Sequence, residues 1–170
     1  MSQMEVQRVM KTRMPILIAG LILAASLAAP AAAADQRPMT GQFTAQAAPT
    51  APRCGPDALT LGFEIRGVAT HLGRLTGTGS NCTEFTLATN AVAVWDGLAT
   101  FAAADGSTLS TTSEGTQDAP VAGRAAFDIT HTISGGTGRF GGAAGVWEVT
   151  GVIDFTTGVI AGRVAGWLSY

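Results

Sequence analysis

The sequence predicts an all-β fold, an eight-stranded antiparallel up-and-down barrel, and three observations lead to that prediction. From residue 54 onward, short runs rich in Thr, Val, Phe and Trp alternate apolar and polar residues, which is typical of strands with one buried face. Glycines interrupt these runs about every ten residues, as short connections require. No segment remains for crossover helices, so consecutive strands are expected to pair antiparallel and to close into a barrel without free edges.

The chain begins with the layout of a secretory signal peptide. Basic residues precede an uncharged run over residues 14–29, and a small-residue tract follows that ends at Ala34. These are the three parts of a cleavable signal, so we predict residues 1–34 to be removed and the protein to be secreted or periplasmic after bacterial export. An uncleaved membrane anchor is the alternative, because the apolar run approaches the ~20 residues that a spanning helix needs.

The rest of the chain is predicted to consist of a linker and one domain. Residues 35–53 are rich in Ala, Gln, Pro and Thr and show no apolar period, so we predict a flexible linker. The barrel domain is expected to span residues 54–170, with tight turns at Asp105-Gly106 and Thr157-Gly158. Its strands are expected at residues 59–66, 68–78, 83–89, 91–102, 107–116, 124–134, 143–155 and 159–170.

Composition excludes several classes of function. Without its signal the protein has 136 residues, with seven arginines, eleven carboxylates and no lysine. An acidic chain lacks the basic patch that nucleic acid backbones require, and the missing lysine excludes Schiff-base catalysis. The two cysteines, Cys54 and Cys82, are expected to form one structural disulfide, because the compartment is oxidising and CxxC spacing is absent.

The segment ISGGTGRFGGAAG, residues 133–145, contains the G-x-G-x-x-G spacing of dinucleotide-binding loops at positions 136–141. Such a loop must lead into a helix whose N-terminus holds the pyrophosphate. Residues from 147 onward alternate apolar and polar instead, which predicts a strand. We therefore expect no cofactor here, and we assign the glycines to a tight turn that leaves Phe140 free to enter the core.

Two stretches resemble a known group of proteins. GGTGRFGGAAG, residues 135–145, resembles the GGTGxFxxAxG segment of the dirigent and allene oxide cyclase group, and GVATHLGRLTG, residues 67–77, is similar to a segment of small secreted bacterial relatives. The resemblance implies a calycin-like, eight-stranded barrel with a mostly apolar cavity. In the plant members it also implies oligomers and chemistry on hydrophobic small molecules. Arg139 and Ala144 stand where many dirigent proteins have an acidic residue and an arginine, so this chain departs from the dirigent pattern at both positions, and the resemblance supports the fold more than the dirigent mechanism.

Candidate site residues come from the sixth strand and its surroundings. By parity His131 shares a face with Ile129 and is expected in the interior, either as a hydrogen-bonded core residue or as a general acid or base. Arg139 is the other catalytic candidate. No spacing unites two histidines with a carboxylate, so we predict no metal site. The predicted ligand pocket consists of Phe127, Ile129, His131, Phe140 and Trp147.

These observations lead to three hypotheses of function. The first is an exported barrel that binds a small hydrophobic molecule, or serves as a structural or interaction module, without catalysis and without stable membrane insertion. The second is an isomerase or cyclase that uses His131 and Arg139 as polar groups. The third is a small outer-membrane barrel, because the last strand alternates up to the terminal Tyr170, although aromatic residues make up only 6% of the chain. The sequence leaves monomer and homo-oligomer open.

Overall fold

The computed structural model describes residues 35–87 and 89–170, so the predicted signal peptide lies outside the described residues. Eight strands form one closed antiparallel barrel, in which each strand pairs with its sequence neighbours and the first pairs with the last. This confirms the predicted fold class. In the described ranges no helix is long and apolar enough to cross a membrane. The strands are β1 (Arg37–Pro49), β2 (Leu59–Ala69), β3 (Gly73–Thr86), β4 (Ala91–Ala102), β5 (Thr108–Asp118), β6 (Arg124–Gly136), β7 (Ala144–Asp154) and β8 (Val159–Ser169).

The first strand corrects the prediction of a flexible linker at residues 35–53. β1 pairs with both β2 and β8, so the barrel begins at Arg37 rather than at residue 54. Met39 and Ala45 point inward and are buried, whereas Thr40 and Gln42 are exposed. A strand with a partner on each side is stabilised by cross-strand pairs along both edges, so it forms although several of its inward residues are small.

The second correction concerns β2 and β3. β3 runs unbroken from Gly73 to Thr86, where we expected two strands at residues 68–78 and 83–89. A bulge between Ser80 and Cys82 shifts the register with β4 without ending the strand, as bulges do when one extra residue is inserted. The predicted number of strands, eight, is nevertheless correct. β3 was counted as two strands, and β1 was not predicted, so the two errors cancel.

The turn between β6 and β7 explains the glycine-rich segment. A three-residue 3₁₀ turn, Gly138–Phe140, leads into β7, so the prediction of a following strand is confirmed. Gly138 has a φ of +61°, a conformation that costs energy for residues with a Cβ. A Cβ on Gly136 would lie 2.5 Å from the carbonyl oxygen of Phe140. The glycines therefore serve a tight turn.

The barrel has one filled end and one open end. At the first, which we call the plug end, Leu72 is 1% exposed and Phe140 and Leu168 are 0% exposed. The β2–β3, β4–β5 and β6–β7 connections lie at this end. At the opposite end, the mouth, the side chains of Leu61 and Phe63 face inward yet are only half-buried. The interior is therefore accessible from the mouth.

Candidate functional site

The barrel interior contains a cavity of about 120 Å³. Apart from Gln42 of β1, its lining from β7, β8, β1 and β2 is apolar, because the inward positions of these strands hold aliphatic and aromatic side chains. Within residues 35–87 and 89–170, no Asp, Glu, Arg or Lys contributes to the lining. Representative apolar lining residues are Phe43, Phe63, Ile65, Trp147, Val149 and Val164.

A set of inward-facing polar side chains, which we call the polar arc, comes from β3, β5 and β6. Ser113 of β5 pairs directly with His131 of β6. Gln117 lies further along β5 toward the mouth and is 9% exposed. The arc gives an otherwise apolar cavity one hydrogen-bonding side, which is the usual composition of small-molecule pockets. Its members are Asn81, Thr83, Ser113, Gln117 and His131.

His131 is held in place by three neighbours. Its Nδ1 lies 3.0 Å from the hydroxyl oxygen of Thr111, its ring stacks on Trp147 with centroids 6.0 Å apart, and Phe101 approaches it edge-on at 6.2 Å. Burial lowers the pKa of His131 to about 4, because an apolar environment disfavours the charged form. The imidazole is therefore neutral at pH 7 and is a weak base there.

Acidification is expected to destabilise the protein through His131. Between pH 6.5 and 4 the unfolded chain binds a proton at this histidine that the folded protein does not bind, so stability falls by up to about 3 kcal/mol as pH drops through this window. Urea unfolding at several pH values should show a smaller loss for His131→Gln than for the native protein. His71→Asn, at a surface turn, should retain the native loss. Equal losses in all three proteins would contradict this assignment.

Asn81 lies at the β3 bulge and lines the cavity. Its Oδ1 atom is buried and has no hydrogen-bond partner among the described residues. Thr83, the next inward residue, differs because its hydroxyl donates to the carbonyl oxygen of Leu59 at 3.3 Å. Buried polar atoms are almost always paired in folded proteins, so the fully buried oxygen of Asn81 is a hydrogen-bond acceptor whose bonding capacity is unmet.

The Cys54–Cys82 disulfide is present, as predicted, and anchors the segment before β2 to β3 next to Asn81. Arg53 reinforces this attachment. Its guanidinium forms an ion pair with Asp96 and donates to the Ser80 carbonyl oxygen at 3.1 Å. The bulge that places Asn81 is therefore held from outside by a covalent bond and by an arginine.

The structure separates the predicted site residues into two groups. Phe127, Ile129, His131 and Trp147 line the cavity, whereas Phe140 fills the plug end and does not contribute to the lining. The reason is the 3₁₀ turn, which directs Phe140 into the closed end of the barrel. Four of the five residues predicted for the pocket thus share one cavity.

Arg139 lies outside the cavity, on the surface of the plug end. Its guanidinium donates to the His71 carbonyl oxygen at 2.6 Å and pairs with Asp105 at 3.2 Å. Arg139 thereby links the β6–β7 connection to the β2–β3 and β4–β5 connections. His131 and Arg139 are therefore not brought together, and the arrangement offers no cation to a ligand in the cavity.

The other polar residues of the arc were not predicted as site residues from the sequence. Ser113 and Gln117 occupy alternate inward positions of β5, whose outward positions are also polar, so no apolar face marked the interior side. Asn81 stood in the gap between two predicted strands. Parity along β5, counted from the buried Leu109, is the signal that identifies Ser113 and Gln117.

Comparisons with known proteins identify a fold. No protein-family model matches the sequence, and no curated protein matches it. The solved structure of the pterocarpan synthase dirigent protein PsPTS1 is similar, with a TM-score of 0.50 and 17% identity over 80% of this chain and 96% of that chain. The pterocarpan synthase dirigent protein GePTS1 has a TM-score of 0.48 and 18% identity over 81% and 89% of the two chains. The likeness to PsPTS1 shows a dirigent-like β-barrel fold, as the glycine-rich segment predicted.

Proposed function

Starting from this dirigent-like barrel fold, we propose that the protein binds a small, neutral, mainly apolar molecule inside the barrel and does not convert it. The observation that carries the proposal is the cavity of about 120 Å³, with aromatic and aliphatic walls and one polar side. Burying apolar ligand surface against such walls contributes roughly 25 cal/mol per Å². The partly exposed mouth residues provide a path from solvent.

The size of the cavity limits the ligand. An engineered protein cavity of about 150 Å³ holds one benzene molecule, and pockets for drug-sized ligands measure roughly 300 to 1,000 Å³. At about 120 Å³, this slightly smaller interior fits one ring or a chain of a few carbons only with part of the ligand extending toward the half-buried residues of the mouth. A multi-ring ligand would require the side chains of the lining to move.

The charge of the lining supports a neutral ligand. No acidic or basic side chain lines the cavity in the part of the chain that the structure describes, and His131 is neutral at pH 7. A buried ionised ligand without a counter-ion would lose several kcal/mol of hydration. Carboxylates and amines are therefore poor ligands in this proposal.

The positions of His131 and Arg139 favour binding over the isomerase or cyclase hypothesis. Catalysis of that kind needs at least two polar groups converging on one substrate, and Arg139 is engaged at the plug end with His71 and Asp105. His131 alone, with a lowered pKa, accepts protons poorly at pH 7. The polar arc is suited to orienting a ligand by hydrogen bonds.

We also propose that the protein acts outside the cytoplasm. The Cys54–Cys82 disulfide supports this location, because such bonds persist in oxidising compartments. The predicted signal at residues 1–34 leads to the same expectation. Mass spectrometry of the secreted chain, with a mass starting near residue 35 and two hydrogens fewer than the reduced form, would support export, and a full-length reduced chain would contradict it.

Filling the cavity is expected to abolish binding. Ala99 lines the interior and is buried on β4, so Ala99→Leu places three more carbons in the space that a ligand needs. We expect calorimetric titration with ethylbenzene to show at least about tenfold weaker binding in this variant, because a filled cavity no longer accepts the ring.

Ala93→Leu provides the matched control, because Ala93 lies on the same strand and is exposed on the outer face. This variant should bind ethylbenzene as the native protein does. Equal affinity in Ala99→Leu and Ala93→Leu would show that ethylbenzene binds outside the cavity, and absence of binding to the native protein would contradict the proposed function directly.

A further inference from the structure

We propose that Asn81 selects ligands that carry a hydroxyl group, by accepting a hydrogen bond from that group within the cavity. This inference rests on the proposed function, because it assigns the polar contact of the same cavity. It also gives the ligand a chemical class, a neutral alcohol with one ring or a short chain.

The buried oxygen of Asn81 carries the inference. Oδ1 is shielded from solvent and has no partner within residues 35–87 and 89–170, while the residue itself lines the cavity. An amide oxygen accepts hydrogen bonds and never donates them. Its complement is therefore an O–H or N–H group, and a neutral O–H fits a lining without carboxylates.

The backbone that carries Asn81 is fixed before any ligand arrives. Cys82, its chain neighbour, is bonded to Cys54, and the backbone of Ser80 accepts a hydrogen bond from Arg53. A backbone that is already ordered loses little freedom when a ligand binds, so more of the hydrogen-bond energy appears as affinity. The bulge, the disulfide and Arg53 thus act together to present one side chain.

The neighbours of Asn81 give the ligand an orientation. Leu61 of β2 pairs directly with Asn81 across the sheet, and Phe63 follows Leu61 on the same inward face. A ring that packs against these two side chains has its substituent within reach of the amide. Since Leu61 and Phe63 are the half-buried residues of the mouth, the hydroxyl end of the ligand lies near the mouth and the apolar end lies deeper.

Two ligands of nearly equal shape test the inference. Benzyl alcohol and ethylbenzene differ by a hydroxyl in place of a methyl group. In a wholly apolar cavity, benzyl alcohol would bind roughly tenfold or more weakly than ethylbenzene, because its hydroxyl would lose its hydrogen bonds to water. With Asn81 as acceptor, we expect calorimetric titration of the native protein to show benzyl alcohol binding at least as tightly as ethylbenzene.

Variants assign this preference to Asn81. Asn81→Leu, of similar volume, should bind ethylbenzene roughly tenfold or more tightly than benzyl alcohol. Asn81→Asp keeps an acceptor oxygen and should keep the preference for the alcohol. Ala93→Leu, on the outer face of β4, is the matched control and should leave the native preference in place. Gln117→Leu removes the other inward amide of the arc, and its comparison with Asn81→Leu tells which of the two amides carries the preference.

The outcomes separate the two proposals. If the native protein binds ethylbenzene tenfold or more tightly than benzyl alcohol, the role of Asn81 is overturned and the binding function stands. The role of Asn81 is likewise overturned if Gln117→Leu rather than Asn81→Leu removes the preference for the alcohol. If neither compound binds the native protein, both proposals fail.

Discussion

Replacing Phe140 with alanine is expected to lower the free energy of unfolding by about 3 to 5 kcal/mol. Phe140 is 0% exposed and packs edge-on against Tyr170, with ring centroids 5.0 Å apart. Leu168 is buried in the same hydrophobic cluster of the plug end. Removing the ring therefore creates a cavity within tightly packed neighbours, which costs both transfer energy and lost contacts.

Urea unfolding followed by tryptophan fluorescence measures this loss. Phe155→Ala is the matched control, because Phe155 lies in the β7–β8 turn and is 44% exposed. It should change stability by less than about 1 kcal/mol, as most surface substitutions do. A loss in Phe140→Ala no larger than in Phe155→Ala would show that the plug does not stabilise the barrel.

Removing the disulfide is expected to cost about 3 to 4 kcal/mol. Cys54 and Cys82 are 28 residues apart in sequence, and a loop of that length constrains the unfolded chain by about this amount in the entropy model. Cys82 is also 1% exposed, so replacing both cysteines with alanine removes buried sulfur contacts as well. We expect Cys54→Ala/Cys82→Ala to unfold at a correspondingly lower urea concentration than the oxidised native protein.

Two comparisons separate the covalent bond from the side chains. The native protein under strong reductant should lose most of the stability that the double variant loses, and reductant should leave the double variant unchanged. A double variant as stable as the oxidised protein would show that Arg53, through Ser80 and Asp96, is sufficient to hold the segment before β2.

The parts of the fold that the sequence predicted are those with local signals. Strands β4 and β6 to β8 alternate apolar and polar residues, and the turns at Gly106 and Gly158 adopt the positive φ angles that their residues favour. β1 escaped prediction because its alternation relies on small residues, Ala45 and Gly41 among them, which carry little hydrophobic signal. Its stability comes from pairing with β2 and β8, which no local pattern reveals.

The candidate site likewise contains some residues with a local sequence signal and others without one. His131 and Trp147 line the cavity as expected, because strand parity determines which face a side chain occupies. Parity does not reveal distance along the barrel, so Phe140 and Arg139 were grouped with His131 although they lie at the plug end. The inward position of Asn81 depends on the bulge in β3. That bulge arises from the tertiary pairing of β3 with β4, which the local sequence does not show.

The central claim is that a small apolar molecule binds within the barrel, and intermolecular nuclear Overhauser effects with ethylbenzene test it most directly. We expect magnetisation transfer from the ligand to inward side chains of facing strands, Ile65 of β2, Phe127 of β6 and Val149 of β7. Transfer confined to exposed side chains of the mouth turns, such as Leu87, Val121 and Phe155, would place the ligand on the surface and contradict the claim.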